Sequence, residues 1–177
     1  TWNDLLNPKW QGKIALYTAA FEWFGYMLKL MGQKNGLEYM EKLSRQNLQF
    51  RTGKSNIVQL MAAGELAFAL TSNTQIEVMK AKGAAVDYCI IEPMIPSIHP
   101  IGISAYAPHP DAAKLFINFA LSREMQEMQV RNYRYSSRTD VKQPGIKKEL
   151  RILTPDITIA NSYPEHVKLY RTILMKR

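Results

Sequence analysis

The stretch from Arg51 to Thr74 constrains this chain most. It opens on Arg51-Thr52-Gly53-Lys54-Ser55 and runs through apolar residues to Ala62-Ala63-Gly64-Glu65. It ends on Leu66-Ala67-Phe68-Ala69-Leu70 and Thr71-Ser72-Asn73-Thr74. That order reads as a polar helix start, a short helix, a short buried strand and a polar strand end. A helix start carries unpaired N–H groups and a partial positive charge. Ligands of open α/β sheets sit at the carboxyl ends of strands. Both polar ends can therefore face one crevice, and the chemistry there favours an anion.

The flanking segments repeat this alternation. A short helix opened by Thr1 and Asp4 is expected to stop before Pro8. Strands are expected over 13–17, 48–50, 66–70 and 86–91. Helices are expected over 21–31, 37–44, 55–64 and 74–82, the last ended by Gly83. Leu37, Met40 and Leu43 share one helical face, as do Ile57, Leu60 and Met61, and Ile76 and Met79. Beyond Glu92-Pro93-Met94-Ile95-Pro96, whose prolines favour extended chain, residues 101–107 alternate like a strand. His109-Pro110-Asp111 then opens a helix with an apolar stripe of Ala112, Leu115, Phe116, Phe119 and Ala120. Further helices are expected over 122–131 and 164–175, the last with Val167, Tyr170, Ile173 and Leu174 inward. Strands alternating with helices argue for an α/β fold with some parallel pairing.

Several functions are excluded by what the residues lack. No apolar run reaches the length of a membrane span. Gly53-Lys54-Ser55 is not a P-loop, which needs a glycine where Leu48 stands. His99, His109 and His166 have no metal-ligand spacing, and His109 reads as a helix-start residue. Cys89, the only cysteine, lies in an apolar run and reads as a buried small hydrophobe. The formal charge is +8. Much of it lies in Arg131, Arg134, Arg138, Lys142, Lys147, Lys148 and Arg151, against Asp140 and Glu149, with Tyr133 and Tyr135 interleaved. No recognition helix, zinc finger or RNP pattern accompanies it, so it reads as a solvated face and no nucleic-acid partner is expected. An enzyme using Glu65 with His109 or Asp140 has nothing to fix those groups together.

The collinear order of short motifs carries a resemblance. Thr1-Trp2-Asn3-Asp4-Leu5-Leu6-Asn7-Pro8 comes first, then Ala62-Ala63-Gly64-Glu65 before an apolar strand, then Lys82-Gly83-Ala84-Ala85-Val86-Asp87. Pro108-His109-Pro110-Asp111-Ala112-Ala113 and Leu121-Ser122-Arg123-Glu124 follow, and Arg138-Thr139-Asp140-Val141 closes the series. The chain resembles the extracellular solute-binding proteins of bacterial ABC importers, in the ferric-ion-binding-like group of the type 2 periplasmic-binding fold.

That resemblance implies the second half of a two-lobed protein. The fold class it implies is α/β, a type 2 periplasmic-binding-protein-like lobe with a mixed sheet flanked by helices, plus helices belonging to a first lobe. Residues 1–95 would form lobe two, residues 96–138 a crossing strand and helices returning to lobe one, and residues 139–177 a tail and helix back in lobe two. It further implies a solute captured between lobes, a membrane permease as partner, a periplasmic or extracellular location (tethered if a lipoprotein), no cofactor and no catalysis. A ligand domain of a LysR-type regulator shares the fold and is the alternative. Isolated from a first lobe, the chain is expected to self-associate through residues 112–128.

Ferric members carry an adjacent tyrosine pair just after the Gly-Glu strand. Here that place reads Thr71-Ser72-Asn73-Thr74-Gln75, and the nearest tyrosines, Tyr39 and Tyr88, lie outside it. Neutral hydroxyls and amides suit an oxyanion or polar solute better than Fe³⁺, so no metal ligand is assigned and a ferric protein with a non-standard site is the alternative. The candidate ligand residues are Arg51, as a forked anion partner, Thr52, Lys54 and Ser55 at the helix start, and Thr71, Ser72, Asn73 and Thr74 at the strand end. Tyr17 and Thr18 form a wall. Ser55 could equally be a plain N-cap, and Trp23 reads as core rather than cleft.

Overall fold

The computed structural model describes residues 1–95, 97, 99–143, 151–154, 156 and 158–175. Pro96, Lys147, Lys148 and Glu149, named above, lie outside them. In chain order the strands are β1 (Ile14–Tyr17), β2 (Gln49–Arg51) and β3 (Phe68–Leu70). The helices are α1 (Phe21–Met31), α2 (Gln33–Ser44), α3 (Lys54–Ala62), α4 (Asn73–Ala81), α5 (Pro110–Ala120), α6 (Arg123–Arg131), α7 (Thr158–Asn161) and α8 (Tyr163–Leu174). The chain divides into two compact units, one of Thr1–Pro96 with Arg151–Arg177 and one of Ser97–Leu150.

The first unit is built on a sheet of order β2-β1-β3, and both pairings are parallel. The mixed sheet expected from the resemblance is therefore all-parallel among the described residues. Side chains alternate across a strand, so β1 serves two layers. Ile14 and Leu16 enter the main core with Phe24, Met27 and Leu28 of α1, Met40 and Leu43 of α2, and Tyr170 and Leu174 of α8. Ala15 faces the other way and packs with Ile57 of α3 and Leu66. Each large apolar side chain buried this way contributes about 1.5–3 kcal/mol. Trp23 is buried in the main core, as its position in an apolar helix implies.

Local chemistry explains most boundaries. Trp2–Leu6 is a 3-10 turn rather than an α-helix, with the Thr1 hydroxyl on the Asp4 carboxylate at 3.0 Å. Two side chains anchor it to the region of α2: Tyr39 Oη donates to the Trp2 carbonyl at 2.8 Å and Gln46 Nε2 to that of Leu6 at 2.8 Å. α2 begins at Gln33, earlier than its apolar face, because Gly32 at φ 80° breaks α1 and lets the next helix start at once. Gly36 is needed where α2 meets α1, since a Cβ there would lie 2.9 Å from the Leu28 Cα.

Two expected strands are not strands. Residues 86–91 and 101–107 carry no ladder, and Ile90, Ile101, Ile103 and Tyr106 are exposed. Cys89 is exposed too, so its reading as a buried hydrophobe is corrected. An apolar or alternating run becomes a strand only beside a paired neighbour. In this region the described pairing is a single parallel bridge, Met94 with Ile152, flanked by Met94 N–H to the Arg151 carbonyl and Leu153 N–H to the Met94 carbonyl, each 2.9 Å.

In the second unit Val141 is the one buried apolar side chain among the described residues. α5 contains no buried residue, and Leu115, Phe116 and Phe119 are 72, 61 and 48 % exposed. His109 stands at the N-cap of α5, and Ser122 caps α6 by accepting the Met125 N–H at 3.2 Å.

Candidate functional site

Parallel pairing places the carboxyl ends of all three strands on one edge. Tyr17 pairs with Arg51 across β1 and β2, and Leu16 with Leu70 across β1 and β3. Arg51, Tyr17 and Thr71 thus form a row spanning roughly 10 Å at the usual strand spacing. Thr18 continues from β1 and its N–H donates to the Arg51 carbonyl at 3.1 Å. Thr52, Lys54 and Ser55 lead from β2 into α3, and Ser72, Asn73 and Thr74 lead from β3 into α4. The ten candidate residues therefore share one edge, with the starts of two nine-residue helices on it. The first-turn N–H groups of such helices point outward and attract negative charge.

The side chains there are partly engaged. The Arg51 guanidinium folds back along β2, donating to the Phe50 carbonyl at 2.9 Å and Gln49 Oε1 at 3.4 Å. Five N–H donors on that group leave others for a ligand. Lys54 Nζ lies 5.3 Å from the centre of the Tyr17 ring, a cation–π contact that holds its charge at the edge. The Thr71 hydroxyl is buried and has no hydrogen-bond partner among the described residues. Residues 17–18, 51–55 and 71–75 contain two cationic side chains and no carboxylate.

Ser55 does not cap α3. Gly53 holds that position, and the Ser55 hydroxyl instead donates to Gln75 Oε1 at 2.8 Å. This bond ties the start of α3 to the start of α4, and it brings in Gln75, a residue that site reasoning from the sequence did not choose. Ser72 and Gln75 have capping-box spacing, but Ser72 makes no side-chain cap bond. The spacing was the available signal, and Gln75 is used across the edge instead.

A second concavity lies in the same unit among α1, α2, α7 and α8. Its lining includes Gly25, Lys29, Gln33, Thr158, Ser162 and His166. It shares no residue with the strand-end edge. His166 is buried, its Nδ1 lacks a partner among the described residues, and burial holds the imidazole below its ordinary pKa. Among the described residues no group of three or more His, Cys, Asp or Glu could hold a metal ion.

Comparison with known proteins gives a family and a fold. A family model described as bacterial extracellular solute-binding protein matches residues 1–162. Among curated proteins, none matches the chain. The chain is similar to the periplasmic binding protein AfuA from Actinobacillus pleuropneumoniae, solved with fructose-6-phosphate bound. The identity is 20%, the TM-score 0.82, and the match covers 99% of this chain and 60% of that one. It is also similar to the apo ferric ion-binding protein A of Pasteurella haemolytica, with 17% identity, TM-score 0.81, and 97% of this chain and 60% of that one. Iron-bound HitA from Pseudomonas aeruginosa gives 19% identity, TM-score 0.74, and 98% and 60% coverage. At these identities the likeness shows the fold, that of periplasmic binding proteins. The chain spans about three-fifths of the length of each of these three structures.

Proposed function

The chain belongs to the bacterial extracellular solute-binding proteins, and from that premise we propose that it captures a small polar anion at the carboxyl edge of its sheet. Delivery of that solute to the membrane permease of an ABC importer completes the role, outside the cytoplasm and without chemistry on the solute. The observation that carries this reading is the edge itself. Arg51, Lys54 and two helix starts converge there, beside neutral hydroxyls and no carboxylate in residues 17–18, 51–55 and 71–75. Two cationic side chains make the same edge a poor seat for Fe³⁺ or a polyamine. AfuA, of the same fold, was solved with a phosphorylated sugar.

In this reading residues 1–95 make most of one lobe, residues 96–138 reach to another, and residues 139–177 return. The other wall of the cleft belongs to a first lobe, matching the length of the neighbours that this chain does not span. Capture needs only differential affinity for a closed form.

A ligand titration of the 177-residue chain, followed by amide NMR shifts, tests the reading. Probes are glycerol 3-phosphate, a phosphonate, a dicarboxylate, spermidine and Fe³⁺. Anions are expected to shift residues 17–18, 51–55 and 71–75, and an Arg51→Gln, Lys54→Gln double variant to weaken them about tenfold or more. A response to Fe³⁺ or spermidine with none to the anions would sink it.

A further inference from the structure

We infer that Tyr170, far along the chain on α8, is a positioning residue of the strand-end edge, setting where Tyr17 and Thr18 stand. The inference rests on the reading of that edge as the ligand site. Its basis is one hydrogen bond and one packing arrangement. Tyr170 Oη donates to the Tyr17 carbonyl at 2.8 Å, and the Tyr170 side chain is fully buried. Tyr17 is the last residue of β1, where the chain leaves the ladder and turns into α1. The same carbonyl also accepts the Ala20 N–H at 3.1 Å. The turn that carries Thr18 is thus closed on one acceptor, and Tyr170 holds that acceptor from beneath.

The ring of Tyr170 adds a second constraint. It meets Phe21 at the start of α1 edge-on at 5.2 Å, Phe24 at 5.8 Å, and Phe50 of β2 at 6.1 Å. Phe50 immediately precedes Arg51. One side chain therefore touches the segment that presents Tyr17 and Thr18 and the strand that presents Arg51 and Thr52. Edge-to-face aromatic packing fixes ring orientation as well as distance. Desolvation pushes the phenol well above its ordinary pKa, so the hydroxyl stays a donor throughout the working pH range. The sequence placed Tyr170 only among the inward residues of its helix. Nothing in the spacing pointed to a carbonyl 153 residues earlier.

Tyr170→Phe keeps the ring and removes the bond. The control is Leu43→Val, a core change in α2 that lowers stability without touching the turn. Hydrogen exchange is read at the Thr18 and Ala20 amides, which donate to the Arg51 and Tyr17 carbonyls, and glycerol 3-phosphate affinity is read in parallel. Tyr170→Phe is expected to speed exchange at these two amides about tenfold beyond its global effect and to weaken the ligand about fivefold or more. Leu43→Val should change global stability with neither local effect. Wild-type-like exchange at Thr18 and Ala20 in Tyr170→Phe overturns the inference, as does unchanged affinity where the wild type binds. If the wild type binds none of the anions, the functional reading falls, and the exchange data alone decide the positioning role. A measurement without any variant covers failure to fold: the Tyr170 hydroxyl proton should exchange slowly enough to be seen by NMR, and its absence counts against the bond.

Discussion

The two units of this molecule carry helices of similar pattern and end in opposite states. In the first, the apolar faces of α1, α2 and α8 close on β1, and Phe24, Met27, Met40, Leu43 and Tyr170 are fully buried. In the second, α5 has the same kind of stripe and buries none of it. Polar contacts link the segments of that unit. Gln126 Oε1 accepts from the Ser136 hydroxyl at 3.0 Å and the Ser137 N–H at 2.9 Å, while its Nε2 donates to the Ala120 carbonyl at 2.8 Å. Arg138 forks onto Asp140 at 2.8 and 2.9 Å. Periodicity therefore reports which face seeks burial and leaves open whether this chain supplies the cover.

The contrast breaks most directly under core truncation. Leu43→Ala should cost about 2–5 kcal/mol, the range for a leucine removed from a closed core. Phe119→Ala should stay within about 0.5 kcal/mol, as for surface substitutions. Urea unfolding of both variants checks this through the shift in midpoint at constant slope. Equal losses would mean that α5 is packed after all.

A glycine pair sharpens the same comparison. A Cβ on Gly25 would lie 2.6 Å from His166 Nδ1, 2.8 Å from its Cε1 and 3.0 Å from Ile159 Cγ2, whereas one on Gly102 would meet nothing within 4 Å. Gly25→Ala should therefore destabilise by about 1–3 kcal/mol through overpacking. Gly102→Ala should be neutral or stabilise by up to about 1 kcal/mol through the unfolded chain. Thermal melts of the two variants should move in opposite directions or by clearly different amounts.

What was legible in the sequence follows the same division. The helix over 21–31 was legible from its apolar run and from Gly32, which ends it as a local signal can, although Ala20 at its start makes no side-chain cap bond. The row of Tyr17, Arg51 and Thr71 was legible because strand ends in a parallel α/β unit must share an edge. The strands expected over 86–91 and 101–107 were not obtained, since a strand is a property of a pair and one run reveals no partner. Gln75 and Tyr170 were illegible as edge residues because each acts on a segment distant in sequence: Ser55 for one, the Tyr17 carbonyl for the other. The Arg51 fork was read from residue type alone, and its fold back onto Phe50 and Gln49 depends on local geometry.

Acid should loosen the first unit by two separable steps. Burial lowers the His166 pKa from its ordinary 6.5, with Glu165 opposing weakly. The neutral form is favoured in the fold, so this contribution is complete above pH 6.5 and is lost as pH falls below it. The bond from Lys29, helped by the Thr158 hydroxyl and N–H, lowers the Asp156 carboxyl from 3.8 to about 2. Its contribution is present above pH 3.8 and disappears as pH falls through about 2. Urea midpoints across this range should show both steps. His166→Leu should remove the first and Asp156→Asn the second, and an unchanged acid limb in Asp156→Asn would place that proton elsewhere.

The smallest effect on stability should accompany a large effect on association. Leu115, Phe116 and Phe119 lie on one side of α5, with Leu121 and Met128 also exposed nearby in sequence. Uncovered apolar area of that kind is a site of contact, and each partly exposed side chain gains by leaving water at about 25 cal/mol per Å² buried. In solution the 177-residue chain is expected to self-associate through residues 112–128. A Leu115→Gln, Phe116→Ser pair should return it to monomer, while in dilute solution, where the wild type is dissociated, the unfolding free energy should change by no more than about 0.5 kcal/mol. Sedimentation equilibrium of both proteins over a range of concentrations decides the matter. A wild-type monomer at the highest concentration would show that the α5 stripe is tolerated in water, and the difference between the two units would then be one of packing without consequence for assembly.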